Sequence, residues 1–131
     1  MKYFTRIILL FISLLQWSCE MHYTSAIVNN SKKPITVKVK IDNEAIDKKR
    51  KEYIENGFLF DKENPKDYEI SISPSESYDL AGSMHTKPDF YNIKEIEIYS
   101  GDTLILKCRK DQMQKLFTSE SNSGNLELIV K

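Results

Sequence analysis

The chain has 131 residues, with 19 basic and 19 acidic side chains and a formal net charge of zero. That length is one domain's worth of chain, and a balanced charge gives no field to draw in nucleic acid or an acidic membrane surface. With two cysteines and two histidines, it is not a disulfide scaffold, and it carries no cofactor or metal motif: H-E-x-x-H, C-x-x-C, G-x-S-x-G and phosphate-cradling glycine loops are all missing.

The first element is a leader. Lys2 and Arg6 precede Ile7–Leu15, a run interrupted only by Ser13. A charged start followed by a short apolar stretch has the layout of a secretory signal. At 1.5 Å rise per residue the run covers under half of a roughly 30 Å hydrocarbon core, so it is too short to span a membrane. It is followed by Gln16, Trp17, Ser18 and Cys19.

Ser18-Cys19 resembles the lipobox of bacterial lipoproteins, in which a small residue precedes an obligatory cysteine. The resemblance covers only the first 19 or so residues, and Gln16 and Trp17 depart from the usual pattern. It implies removal of residues 1–18, lipidation of Cys19, and a membrane partner held through that lipid. Two or three acyl chains make such attachment stable, where one alone holds weakly. The rest then divides into a lipidated tether, 19–25, and one domain, 26–131. Without its leader the chain has 113 residues and two more acidic than basic side chains. The alternative is an ordinary cut after Thr24-Ser25-Ala26, giving a soluble secreted or periplasmic chain from Ile27.

The next stretch reads as strand, turn and strand. Ala26–Val28 runs into the turn formers Asn29, Asn30 and Ser31. Ile35, Val37, Val39 and Ile41 then alternate with Thr36, Lys38 and Lys40, which puts one face on a core and the lysines in water. A short helix follows over 42–57, capped by Asp42 or Asn43 and ended by Gly57. Glu44 and Asp47 stand four residues before Lys48 and Lys51, and Ile46 and Ile54 mark a thin apolar stripe. Its basic run, Lys48-Lys49-Arg50-Lys51, is flanked by Asp47, Glu52 and Glu55 and reads as a solvated face.

Tyr68, Ile70 and Ile72 face one way in the next strand. Pro74 ends it, and Tyr78 and Leu80 resume the pattern. Ile96 and Ile98 lie on one arm of a hairpin that turns at Ser100-Gly101-Asp102 and returns through Leu104, Leu106 and Cys108. Cys108, among leucines, reads as a buried, inert thiol. Asp111–Phe117 offers a second helical turn, in which Met113, Leu116 and Phe117 cover a sheet end. Leu126, Leu128 and Val130 form the last strand.

About seven short strands with frequent turns suit an all-β, antiparallel, immunoglobulin-like β-sandwich with one short helix; a small β-barrel is the alternative. The pattern is similar to small bacterial lipoproteins whose mature part is such a sandwich, which implies a place in the cell envelope, in the outer membrane or on its periplasmic or surface face. Function is expected from a loop. Ala81–Asn92 carries Met84, His85, Phe90 and Tyr91, a candidate binding surface for a protein, or second for a glycan; the alternative is that Phe90 and Tyr91 plug the core. Thr103, in Asp102-Thr103-Leu104, is similar to a three-residue O-glycosylation acceptor. The expected activity is non-enzymatic: a membrane-anchored binding or structural module. The alternatives are an envelope hydrolase, an inhibitor of one, or a pilus or surface-layer subunit.

Overall fold

Alternating side chains with a period of two give a strand one apolar face, and two such faces cover each other by stacking. The computed structural model describes residues 21–60, 62–120 and 124–131, and there this logic produces a sandwich of two four-stranded sheets. The leader and Cys19 lie outside the described residues. The elements are β1 (His22–Asn29), β2 (Ile35–Ile41), α1 (Asn43–Glu55), β3 (Tyr68–Ile72), β4 (Ser77–Met84), β5 (Ile93–Ser100), β6 (Thr103–Arg109), α2 (Lys110–Leu116), β7 (Ser119–Glu120) and β8 (Leu126–Val130). Seven strands have five to eight residues, and β7 has two.

One sheet has the order β4-β1-β8-β7, the other β3-β2-β5-β6. All pairings are antiparallel except β1 with β8, which is parallel. The neighbours β3-β2-β5-β6 and β1-β4 match C′-C-F-G and B-E of an immunoglobulin-type sandwich; the parallel β8 is outside that pattern. Neither sheet closes on itself, which sets aside the barrel. The strands on either side of the Asn29–Ser31 turn are consecutive but not paired, because the chain crosses there from one sheet to the other.

The expected alternation is present. Ile35, Val37, Val39 and Ile41 of β2 are buried, as are Ile96 and Ile98 of β5, and they face Ile27, Leu80 and Val130 of the other sheet. On the outer face of β2 and β5, Lys40 lies 2.7 Å from Glu95, and Lys107 lies 3.1 Å from Glu95 and 2.8 Å from Glu97. The lysines are on the solvent side, but in an ion-pair ladder.

One correction concerns the start of the body. β1 begins at His22, four residues before the expected domain start at 26, so the last four residues of the expected tether are strand. A second concerns α1. Asp42 caps it as expected, its Oδ1 accepting from the Ala45 N–H at 3.0 Å, and Gly57 follows its end at φ +81°. Ile46 is buried but Ile54 is 57% exposed. Eight positions at 3.6 residues per turn leave two side chains about 80° apart, so they do not share a narrow stripe. Arg50 pairs with Asp47 at 2.6 Å. The second helical turn forms α2, with Met113 and Phe117 buried.

Among the described residues no helix is long and apolar enough to cross a membrane.

Candidate functional site

Strand direction sorts the connections into two ends. At one end are tight links: residues 30–34, 73–76 and the Gly101-Asp102 turn, where Gly101 takes φ +57°. At the other end β1 and β8 begin, β4 runs out to Met84, and both helices and the 85–92 loop gather. This second, capped end holds most of the residues singled out in the sequence.

The entry of the chain is fixed here. His22 pairs with Met84, and the His85 N–H donates to the Met21 carbonyl at 3.0 Å. Gly82 lets the His22 ring lie close to the strand: a Cβ there would meet that ring at 3.2 Å, so the exposed ring would have to shift by a few tenths of an ångström. His22, expected in a tether, is therefore a strand residue, though an exposed one.

The 85–92 loop is built around Phe90. Its ring is 2% exposed and lies 5.0 Å from the ring of Phe117. Its φ is +53°, in the left-handed region that costs a non-glycine residue roughly 1–2 kcal/mol. Burial of a phenyl ring offsets this at about 25 cal/mol per Å² of apolar area. Phe90 thus plugs the core. Tyr91 is half-buried: the Lys49 ammonium sits 3.7 Å from its ring centroid, and the Asp89 carboxylate accepts from its N–H at 3.1 Å. Met84 and His85 are exposed, His85 at φ +66°. Of the four expected binding residues, these two are exposed, Tyr91 is partly so, and Phe90 is buried.

Lys110 of α2 ties the cap together. Its ammonium donates to Asp42 at 2.8 Å and to the Tyr91 carbonyl. The Lys110 hydrogen bond, then that from the Ala45 N–H, holds the Asp42 carboxyl below its usual range.

Among the grooves at this end, two have about 520 Å³ each. One runs between Lys49 and Tyr53 of α1 and Ala81–Ser83 of β4. The other has Phe90, Phe117 and Leu126 on its floor and Lys87 and Glu120 at its rim, 3.7 Å apart. Sequence reading missed the first groove, because it depends on where α1 packs. The Asp89-x-Tyr91 turn was the one local signal that the loop is fixed.

The remaining candidates lie elsewhere. Thr103 is exposed at the start of β6, at the tight-turn end. Cys108 is buried, and burial, then Asp111, pushes its thiol up, as fits an unreactive thiol. Among the described residues no group of three metal-ligating side chains forms. Glu95 and Glu97 share Lys40 and Lys107, and both carboxyls are lowered: Glu95 by hydrogen bonds from Lys40 and Lys107, Glu97 to about 2 by hydrogen bonds from Lys107 and then Tyr99. A glycosidase acid needs the opposite shift.

Comparison with known protein families, with curated proteins and with solved structures finds no match to this chain.

Proposed function

We propose that this protein is a lipid-anchored module of the bacterial cell envelope, held by acylated Cys19, whose β-sandwich serves as a binding or structural platform and not as an enzyme. The sequence support is the leader over 1–18 and the Ser18-Cys19 junction. The observation that carries the reading over its rival is the position of β1. A cut before Cys19 leaves every described residue in place. A cut after Ala26 removes five of the eight residues of β1, among them the buried Ser25 and Ala26, and strips β4 of its partners from Ala81 to Met84.

The partner is a protein first and a glycan second. With the anchor at the capped end, the tight-turn end is the one that faces away from the bilayer. Strands of eight residues at about 3.3 Å each place it roughly 25 Å further out. Thr103 stands there, accessible to a glycosylating enzyme. A pilus or surface-layer subunit is the second reading, favoured by Leu104 and Ile105, 47% and 49% exposed on the edge strand β6. Crosslinking in cells separates the two: a ladder of homo-oligomers marks the subunit, a single foreign protein the binding module.

The test is intact mass and fractionation. Protein from membranes should have the mass of residues 19–131 plus acyl chains, and Cys19→Ser should move it to the aqueous fraction. An amino terminus at Ile27, or an unchanged pellet, overturns the reading.

A further inference from the structure

Six of the eight exposed large apolar residues among the described ones belong to the entry of β1, the end of β4 and the tip of α1: Met21, Met84, Tyr53, Ile54, Phe58 and Leu59. Leu59 is 100% exposed, Phe58 and Met21 64%, Met84 59%. Met84 pairs with His22, and Met21 precedes that pair, its carbonyl bonded to the His85 N–H. The segment after α1 is at the same end: Tyr53 lines one groove with Gly82, Ser83 and Thr86, which adjoin Met84 in the chain, and Phe58 packs on Tyr53 at 5.9 Å between ring centroids. α1 is attached through the buried Ile46 and the half-buried Lys49, and the residues from Lys51 through the helix end to Leu59 are exposed throughout. A solvated helix end followed by Phe58-Leu59 leaves apolar surface that none of the described residues covers.

The length of chain before this surface says what covers it. If Cys19 carries lipid, Glu20 is the only residue between the acylated sulfur's residue and Met21, whose carbonyl is already bonded to His85. At no more than about 3.6 Å per residue, that leash holds the capped end within roughly 10 Å of the anchor. We propose that the capped end lies in the lipid interface, with Phe58 and Leu59 inserted beside Met21 and Met84, and that this fixes the body upright. The inference rests on the Cys19 anchor proposed above. The driving term is apolar burial: Glu52 and Glu55 flank the tip alongside Lys48 and Lys51, so no net attraction to anionic lipid is involved. The Met84–His85 stretch thus contacts lipid, and the surface left for a partner is the tight-turn end.

Trp17 is the chain's one tryptophan and leaves with the leader, so the mature chain can report through a single introduced indole. Leu59→Trp and, at the far end, Leu104→Trp are made in the full-length gene and purified as mature lipoprotein. Each is reconstituted into vesicles of phosphatidylcholine and phosphatidylglycerol, with plain or brominated acyl chains. Brominated lipid should quench Leu59→Trp about two-fold, as expected for a side chain some 5–10 Å into the headgroup–acyl boundary, and leave Leu104→Trp unchanged. Adding Phe58→Asp should abolish the quenching while the protein still floats with the vesicles. Protein that floats with an unquenched Leu59→Trp overturns the seating and leaves the anchor standing. Protein that fails to float overturns the anchor. Quenching equal at both positions, or Leu59→Trp shielded from brominated lipid and crosslinked to a second copy, overturns the orientation.

Discussion

Asn29 should be among the most costly single residues to truncate. Its side chain is fully buried where the chain passes from one sheet to the other. The amide donates to the Lys33 and Ile72 carbonyls, both at 2.9 Å, and its oxygen accepts from the Ser31 N–H at 3.0 Å and the Ser31 hydroxyl at 2.7 Å. Ile72 ends β3 and Asn29 ends β1, so one side chain bolts the two sheets. Asn29→Ala removes all four bonds, among them the one to the buried end of β3 at the Ile72 carbonyl. At a net 0.5–1.5 kcal/mol per bond, with the two part-buried Ser31 donors counted at the low end because water can replace Asn29 there, the loss should be about 3 kcal/mol. For a domain near 100 residues that lowers the thermal midpoint by about 10–15 °C. Ser25 is the internal contrast. It is equally buried, but its hydroxyl has no partner among the described residues. Ser25→Ala should therefore be neutral or stabilise by up to about 1 kcal/mol. Urea and thermal unfolding of the mature protein, followed by circular dichroism, measure both. An Asn29→Ala loss below about 1 kcal/mol, or a Ser25→Ala loss larger than that of Asn29→Ala, would refute the hydrogen-bond reasoning.

Two further outcomes are expected. Phe90→Ala should cost about 3–5 kcal/mol, as for other buried rings, and Phe90→Gly should recover part of this by relieving the left-handed backbone; an unchanged midpoint would return Phe90 to the binding surface. On the acid side, Asp42, Glu95 and Glu97 all have lowered carboxyls, Glu97 to about 2. Their stabilisation is present above the unfolded carboxylate range near pH 4 and is lost as pH falls through the folded values. The urea midpoint should thus drop between about pH 5 and pH 2, less steeply in Glu97→Gln, and superimposable curves for the two proteins would remove the ladder from the account.

What could be read ahead of the structure follows a physical line. Periodicity assigns a strand its buried face, so β2, β5 and β8 were legible, and so were the Asp42 cap and the Gly101 turn. Periodicity never names a strand's neighbour. Ala26–Val28 and Ile35–Ile41 look like consecutive arms of one ribbon, yet they belong to opposite sheets. What separates them is Asn29, which in sequence is only a turn former. His22-Tyr23-Thr24 carries no alternation because its strand lies at the chain's entry, half-covered, with its partners 60 and 100 residues away in sequence. Phe90 was ambiguous for a related reason: an aromatic in a polar loop is core only if the backbone turns it inward, and the left-handed φ that does so has no signature in a phenylalanine. The same long-range pairing bears on how the molecule matures. β1 lies between β4 and β8, so its second edge is covered only once the chain is complete through Val130. The first strand of the body, next to the proposed anchor, therefore waits for the last. Closure by contacts of such high sequence separation is intrinsically slow, and until β8 docks, β1 exposes a free edge within reach of the bilayer on which the capped end is proposed to rest.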